Sequence, residues 1–390
     1  MNDIYKIPEP WPVIISGKPG KTRSGLPSII IRFKRNFEFI LSFQSSAGST
    51  FCILVLSLLI LFGSCNRRTQ QSSDNNDNGE ISVQNKGKSL QHVRILPYWV
   101  PSAQWAGYYV GIEKGIFEKH GIDLEILIFD PHMEVAPAIK NKKTDFALFW
   151  MVNAIEVRNK GVDIVNIAQL SFRSSLMLIT KKSSGISKLE DMNGKRAGIW
   201  IGYERQPQAL FKKYNLNVEI VPIGSTNNLF LQGGVDILNA NWFDEYHSIL
   251  NNGYNEDELN KFFFADYGLN FLEDGIYCLE EMVRNNPELC VNFVNATLES
   301  WQYAFDNQEE AIIIVEKYAK SHNQPVNLSH QRWMLSHFAK LYIPEGSSKI
   351  NTNLVQKDYE TIQQIMLESG FITKATPYHS FFIPYDQLTK

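Results

Sequence analysis

Cysteine is scarce. There are four in 390 residues, and two of them, Cys52 and Cys65, lie in or just after an apolar N-terminal stretch. Only Cys278 and Cys290 remain for the globular part, too few for a disulfide-stapled scaffold. Cys278 sits in a strand-like run and Cys290 on a helical face, so two buried thiols are expected there rather than a bridge. The histidines are scattered without acidic or cysteine partners at ligand spacing, and no metal is expected. His330 and His337 stand seven apart on one helix, which reads as a packed or solvated face. Charge of one sign is lacking too. With 38 Lys and Arg against 41 Asp and Glu and a formal net charge of −3, the chain has no electrostatic footprint for nucleic acid. No P-loop, GxSxG elbow or HExxH helix occurs, so neither a conventional catalytic set nor a cofactor is expected.

Apolar and aromatic residues are plentiful: 44% of the chain is hydrophobic, with 8 Trp, 16 Tyr and 24 Phe, ample for a large core and two lobes. Arg32, Lys34 and Arg35 precede an uncharged stretch that ends in the apolar run 51–63, followed by Ser64 and Cys65. A basic flank, an apolar segment and small residues before a cysteine make an export signal, with Cys65 as the lipidated residue. An uncleaved anchor over 39–63 is the alternative, and either places the globular part outside the cytoplasm. Residues 1–64 are therefore set apart as export signal and N-terminal extension. The span 65–91, rich in Asn, Ser, Gln and Asp, reads as a disordered tether.

From 92 onward strand and helix patterns alternate. The first lobe, 92–180, is expected to hold strands at 93–96, 124–129, 146–149, 164–168 and 176–180, with helices at 103–119, 133–140 and 152–159. The second, 181–272, is expected to hold strands at 196–200, 218–222, 235–239 and 262–265, with helices at 204–214, 226–232 and 242–251. A return strand at 275–279 opens the last region, 273–390, whose helices are expected to pack on the first lobe. Two α/β lobes joined by two crossings form a hinged clamshell with its ligand between them.

The loop WVPSAQWAGYYVGIEKGIF, starting at Trp99, lies at the carboxyl end of the first strand, an edge where open α/β sheets bind small molecules. Tyr109 and Phe117 fit the buried face of the following helix. Trp99, Gln104, Trp105 and Tyr108 are pocket candidates, because rings in the loop can stack on a flat polar ligand. Trp150 and Asn153 reach the same edge. From the second lobe come Tyr203 and Glu204, then Asn241, Trp242 and Glu245. Tyr277 lies at the return crossing, as a hinge or pocket residue. Glu204 reads either as a carboxylate serving the helix dipole or as an acceptor for an exocyclic amine, and Asn241 either as a cap or as a ligand contact.

The segments WVPSAQWAGYYVGIEKGIFEKHGIDLEI, AIKNKKTDFAL, LEDMNGKRAGIW, LQGGVDILNANWFDEYHSILNNGY and GIYCLEEMVRNNPELCVNFVNATLESW together resemble solute-binding proteins of ABC importers. The resemblance is to the thiamine pyrimidine precursor branch, with its nitrate, sulfonate and taurine relatives, and it covers about 94–342. It implies a type II periplasmic-binding-protein-like clamshell, each lobe a mixed sheet flanked by helices. It also implies a monomeric, membrane-anchored lipoprotein facing the periplasm or exterior, partnered by a permease and an ATPase. The ligand it implies is a formylaminopyrimidine or hydroxymethylpyrimidine. The alternative is a nitrate-, sulfonate- or taurine-type anion with Arg173 offsetting the acids, or a surface sensor. The same scaffold resembles a fungal pyrimidine synthase, whose cysteine-rich motif this sequence lacks, so binding without chemistry is expected.

Overall fold

The computed structural model describes residues 20–21, 27–33, 37–42, 89–128, 135–224 and 226–389. The chain divides into two units, Met1–Gln84 and Asn85–Lys390. Within the first, Gly20–Lys21, Pro27–Phe33 and Phe37–Ser42 form an antiparallel three-stranded sheet, which the sequence reading did not anticipate. The apolar run 51–63, Cys65 and the tether up to residue 88 lie outside the described residues. Among the described residues, no helix is long and apolar enough to cross a membrane.

In the second unit the strands are β1 (Gln91–Leu96), β2 (Ile122–Ile126), β3 (Phe146–Phe149), β4 (Ile164–Gln169), β5 (Leu176–Lys181), β6 (Arg196–Trp200), β7 (Glu219–Ile223), β8 (Ile237–Asn241), β9 (Leu259–Phe263) and β10 (Gly275–Leu279). They build two mixed sheets, ordered β2-β1-β3-β10-β4 and β7-β6-β8-β5-β9. β10 runs antiparallel between β3 and β4, and β5 antiparallel between β8 and β9. The remaining pairs are parallel, which sends the chain ends of β1, β3, β6 and β8 toward one gap. Helices that bear on the site are α1 (Ala106–Glu113), α2 (Met151–Asn159), α3 (Arg205–Lys213), α4 (Glu245–Asn251), α5 (Pro287–Asp306) and α6 (Leu328–Tyr342).

The lobe boundary differs from the one read at 180. β5 hydrogen-bonds along its length to β8 and β9, so the chain crosses earlier, through 170–175. A strand with a continuous apolar run such as LMLI, buried on both faces, does not reveal from its own pattern which sheet it joins. It returns through 269–274. The helix expected over 103–119 is broken: a 3-10 turn at Ala103–Trp105 precedes α1, and Gly115, at φ +64, turns the chain before Ile116–Lys119. β8 and β9 are displaced from the expected 235–239 and 262–265, the latter because Asn255 and Glu258 cap a 3-10 turn that starts the strand at Leu259.

α1 packs on α5 at short range because Gly107 and Gly111 face it. A Cβ at Gly107 would lie 2.4 Å from the Trp301 ring, and one at Gly111 would lie 2.3 Å from Ser300 Oγ. α6 joins the same core through Leu335, Phe338 and Tyr342. The C-terminal segment closes on the far edge of the first sheet, where the Ile383 amide donates to the Asn166 carbonyl at 2.9 Å. Cys278 and Cys290 are free and buried, and burial pushes the Cys278 thiol up, with Cys290 beside it.

Candidate functional site

Side chains from the carboxyl edges of both sheets meet in a slot between the lobes. Lobe 1 supplies Tyr98, Trp99 and Gln104 after β1 and Trp150 after β3; lobe 2 supplies Trp200 and Tyr203 at the end of β6, and Asn241, Phe243, Asp244 and Glu245 at the end of β8. Rings from the two lobes meet edge to face, Trp99 with Trp200 at 6.4 Å and Trp150 with Tyr203 at 4.8 Å between centroids. The slot volume is about 20 Å3, room for about one water, so a flat ring enters only when the lobes part.

No Lys or Arg lines the slot, whereas two carboxylates do. Glu245 accepts a hydrogen bond from the Asn241 amide at 2.7 Å; burial first, and then the charge of Asp244, hold its pKa up at about 8. Arg173, the cation an anion pocket would need, pairs with Asp266 at 2.6 Å and does not line the slot. Tyr98, Trp150 and Tyr203 form a wall shared with a wider chamber of about 400 Å3, whose lining adds Asn153, Lys160, Arg205 and Glu156. There Arg205 grips Glu156 through two hydrogen bonds, the Nη2 to Oε2 contact being 2.8 Å. A larger cavity, about 830 Å3, is a surface hollow lined by Gln91, His120 and Asn286, among others, and shares no lining residue with the slot.

The expected site residues separate into three groups. Trp99, Gln104, Trp150, Tyr203, Asn241 and Glu245 line the slot, and Asn153 lines the chamber. Glu204 lines neither; its carboxylate accepts from the Gly202 amide at 2.8 Å, a bond within the loop before α3, and it does not cap that helix. Trp105, Tyr108, Trp242 and Tyr277 are committed to packing. Trp105 is 2% exposed, with Nε1 donating to the Val100 carbonyl, and Tyr108 lies against Phe117 and Trp301. Both belong to the first-lobe core, Trp105 with its ring 5.1 Å from that of Tyr98 and Tyr108 against α5. Trp242 points away from the slot, onto Phe263 and His337. Tyr277, on β10 between β3 and β4, packs between Phe149 and Phe381.

Tyr98, Trp200, Phe243 and Asp244 were missed; Trp200 ends an expected strand and Tyr98 follows one by two residues, whereas Phe243 and Asp244 fall in the helix expected over 242–251. Missed as well was an acidic pair at the return crossing, Glu273 and Asp274, 1% and 5% exposed. Its signal is legible afterwards: two adjacent acids inside the otherwise apolar run FLEDGIYCL. Glu273 Oε1 accepts from Ser174 Oγ at 2.8 Å and from the Ser175 amide at 3.0 Å, so it pins one interlobe crossing to the other. Tyr98 Oη donates to Asp274 Oδ1 at 2.8 Å, and Gln104 Nε2 donates to Tyr98 Oη in turn, which ties the hinge to the slot wall.

Burial, with the charge of Asp274 second, raises the Glu273 pKa to about 8; burial raises that of Asp274 to about 6. Both stand above their ordinary values, so the folded chain binds more protons than the unfolded one, and their contribution to stability is lost as pH rises through 6 to 8. Thermal melts should therefore fall from about pH 5.5 to about pH 9, and the slope should flatten in Glu273→Gln. Equal slopes in the two chains would remove Glu273 as the cause.

Known proteins place this geometry in context. The chain is 24% identical over 239 residues to the riboflavin-binding protein RibY of Chloroflexus aurantiacus, a match covering 58% of this chain and 66%, just under two thirds, of that relative. It is 21% identical over 281 residues to the formylaminopyrimidine-binding protein of Halalkalibacterium halodurans, covering 68% and 78%. Among solved structures, the periplasmic aliphatic sulphonate binding protein SsuA from Escherichia coli superposes with a TM-score of 0.59 at 14% identity, over 75% of this chain and 92% of that one. That likeness is one of fold, the two-lobed periplasmic-binding-protein architecture. Residues 102–311, more than half of the chain, match the family described as NMT1/THI5 like, and the chain belongs to that family.

Proposed function

We propose that this protein is the extracytoplasmic solute-binding component of an ABC importer and that it takes a small heteroaromatic amine of the aminopyrimidine class between its lobes. One observation carries the reading: a slot walled by six aromatic rings, with two carboxylates and no cationic side chain. Rings stack on the faces of a flat heterocycle, and a carboxylate accepts the protons of its exocyclic amine. An anion finds no cationic side chain in the slot and meets the Asp244 carboxylate there, which argues against nitrate, sulfonate or taurine. The pyrimidine-binding relative supports the same class. Binding proceeds without turnover, and the bound state is the closed one, because rings on opposite walls touch one ligand together only when the lobes meet.

On this reading Cys65 carries a lipid anchor on the outer face of the membrane, and a monomer delivers its solute to a permease driven by an ATPase. Calorimetry with a formylaminopyrimidine or hydroxymethylpyrimidine should give saturable heat, the ligand being recovered unchanged, while taurine and nitrate give none. Tight taurine binding would replace the aminopyrimidine reading with the anion one. For the anchor, fatty-acid label should enter the wild type and be absent from Cys65→Ser; label on neither would remove the lipoprotein form.

A further inference from the structure

A column of stacked rings crosses between the lobes beside the slot. His247, on α4 of the second lobe, lies nearly parallel to two rings of α6, which packs in the core of the first lobe. The angles are 11° to His330 and 7° to Trp333, with centroids 5.1 and 4.5 Å away. Trp333 stacks in turn on His337 at 4.0 Å. The His247 and His330 rings are joined edge to edge as well, Nδ1 to Nδ1 at 2.8 Å. His330 Nε2 donates to Asp244 Oδ1 at 2.9 Å, and Asp244 lines the ligand slot.

That geometry limits the protons the pair can hold. An Nδ1 to Nδ1 hydrogen bond needs one nitrogen with its proton and one without. With His330 Nε2–H directed at Asp244, a neutral His330 accepts from His247 Nδ1–H; a charged His330 donates to an unprotonated His247 Nδ1. Once both rings are charged, both facing nitrogens carry protons, the bond is lost and two cations face each other. We propose that His247 and His330 form a proton-sensitive latch across the cleft, which holds the lobes together while one proton lies between the facing nitrogens and releases them when both rings are charged.

The surroundings do not neutralise that second charge. On the α4 side stand Asp244, already committed to His330, and Glu245, directed at the Asn241 amide; Asn251 Nδ2 approaches His247 Nδ1 at 3.3 Å. From α6, Arg332 is paired with Glu309 at 2.8 Å, and Lys340 lies over the Trp242 ring at 5.3 Å. From β9 and the turn before it, Lys261 and Glu256 pair with each other at 3.1 Å. Burial, then the charge of His330, lowers the His247 pKa below its ordinary 6.5. His337 is lowered to about 4, chiefly by burial. A depressed value means that the closed contact is favoured above pH 6.5 and is lost as pH falls through the lowered value. Because the latch ends on a slot carboxylate, acidification loosens the ligand site with it. The inference rests on the two-lobed cleft and not on which solute fills it.

Small-angle scattering of the full chain without ligand, at about pH 7.5 and about pH 5.5, tests the latch, with circular dichroism to establish that it stays folded. The wild type should expand at the lower pH, with a midpoint below 6.5, whereas His247→Gln and His330→Gln, which cannot gain the charge, should give one profile at both. Superimposable wild-type profiles would overturn the proposal, and so would variants that open as the wild type does. Should a variant fail to fold, ring 15N shifts of the unaltered chain decide: His247 should take up its proton below pH 6.5 over the same range in which scattering expands, and a His247 that stays neutral through that expansion would overturn the latch.

Discussion

Glu245→Gln should weaken binding of an aminopyrimidine about ten- to a hundredfold, since a hydrogen bond to a charged partner contributes roughly 1.5–3 kcal/mol and each 1.4 kcal/mol is about tenfold. Its carboxyl, with a pKa near 8, is mostly protonated at neutral pH. An amine seated against it favours the ionised form, so binding expels a proton. Wild-type affinity should accordingly rise with pH toward 8, and the heat at pH 7 should depend on the ionisation enthalpy of the buffer. Both signatures should vanish in Glu245→Gln. Glu204→Gln should leave affinity near that of the wild type, because that carboxylate serves the Gly202 amide. Equal affinities for Glu245→Gln and wild type would separate the slot from the ligand.

The other large effect belongs to the core. Trp301 is fully buried, with Tyr342, Phe305 and Phe338 at 5.1, 5.3 and 5.9 Å, and it lies directly under Gly107. Trp301→Ala should cost about 3–5 kcal/mol in urea unfolding, a large part of the ~5–15 kcal/mol that holds a typical domain together. A loss below about 1 kcal/mol would mean that the helices collapse into the cavity despite the two glycines that fix their spacing.

The frame was legible where local chemistry bounds an element. β3, β6 and β10 occupy the residues read from the sequence because polar or turn residues, such as Asp145 and Asn193–Gly194, flank short apolar runs. Strand ends also located the slot, since loops after parallel strands converge wherever the sheets face each other. Side-chain direction was not legible. Trp99 and Trp105 look alike in the sequence, yet a turn beginning at Ser102 sends one ring to the slot and the other into the core. Glu204 and Glu245 both stand near the start of a helix in the second lobe, and only the path of the preceding loop decides which reaches the cleft. The acids at 273–274 and the histidine column depend on partners some 80 to 180 residues distant, which no local pattern encodes.

The strand order of the first sheet sets a timetable for making this protein. Among the described strands β4 pairs with β10 alone, and β10 is separated from it by the entire second lobe. A chain emerging from the ribosome or from an export channel therefore holds β2, β1 and β3 for more than a hundred residues before the strand that joins β4 to them arrives. A product ending before Gly275 leaves β4, a strand buried along its whole length in the folded chain, without its partner, an edge prone to pairing with other chains. Folding of the first lobe is post-translational with respect to its own N-terminal half, and pairings this distant in sequence make it slow. A chain delivered unfolded across a membrane meets that requirement without penalty, because all of its strands arrive before any lobe must be complete.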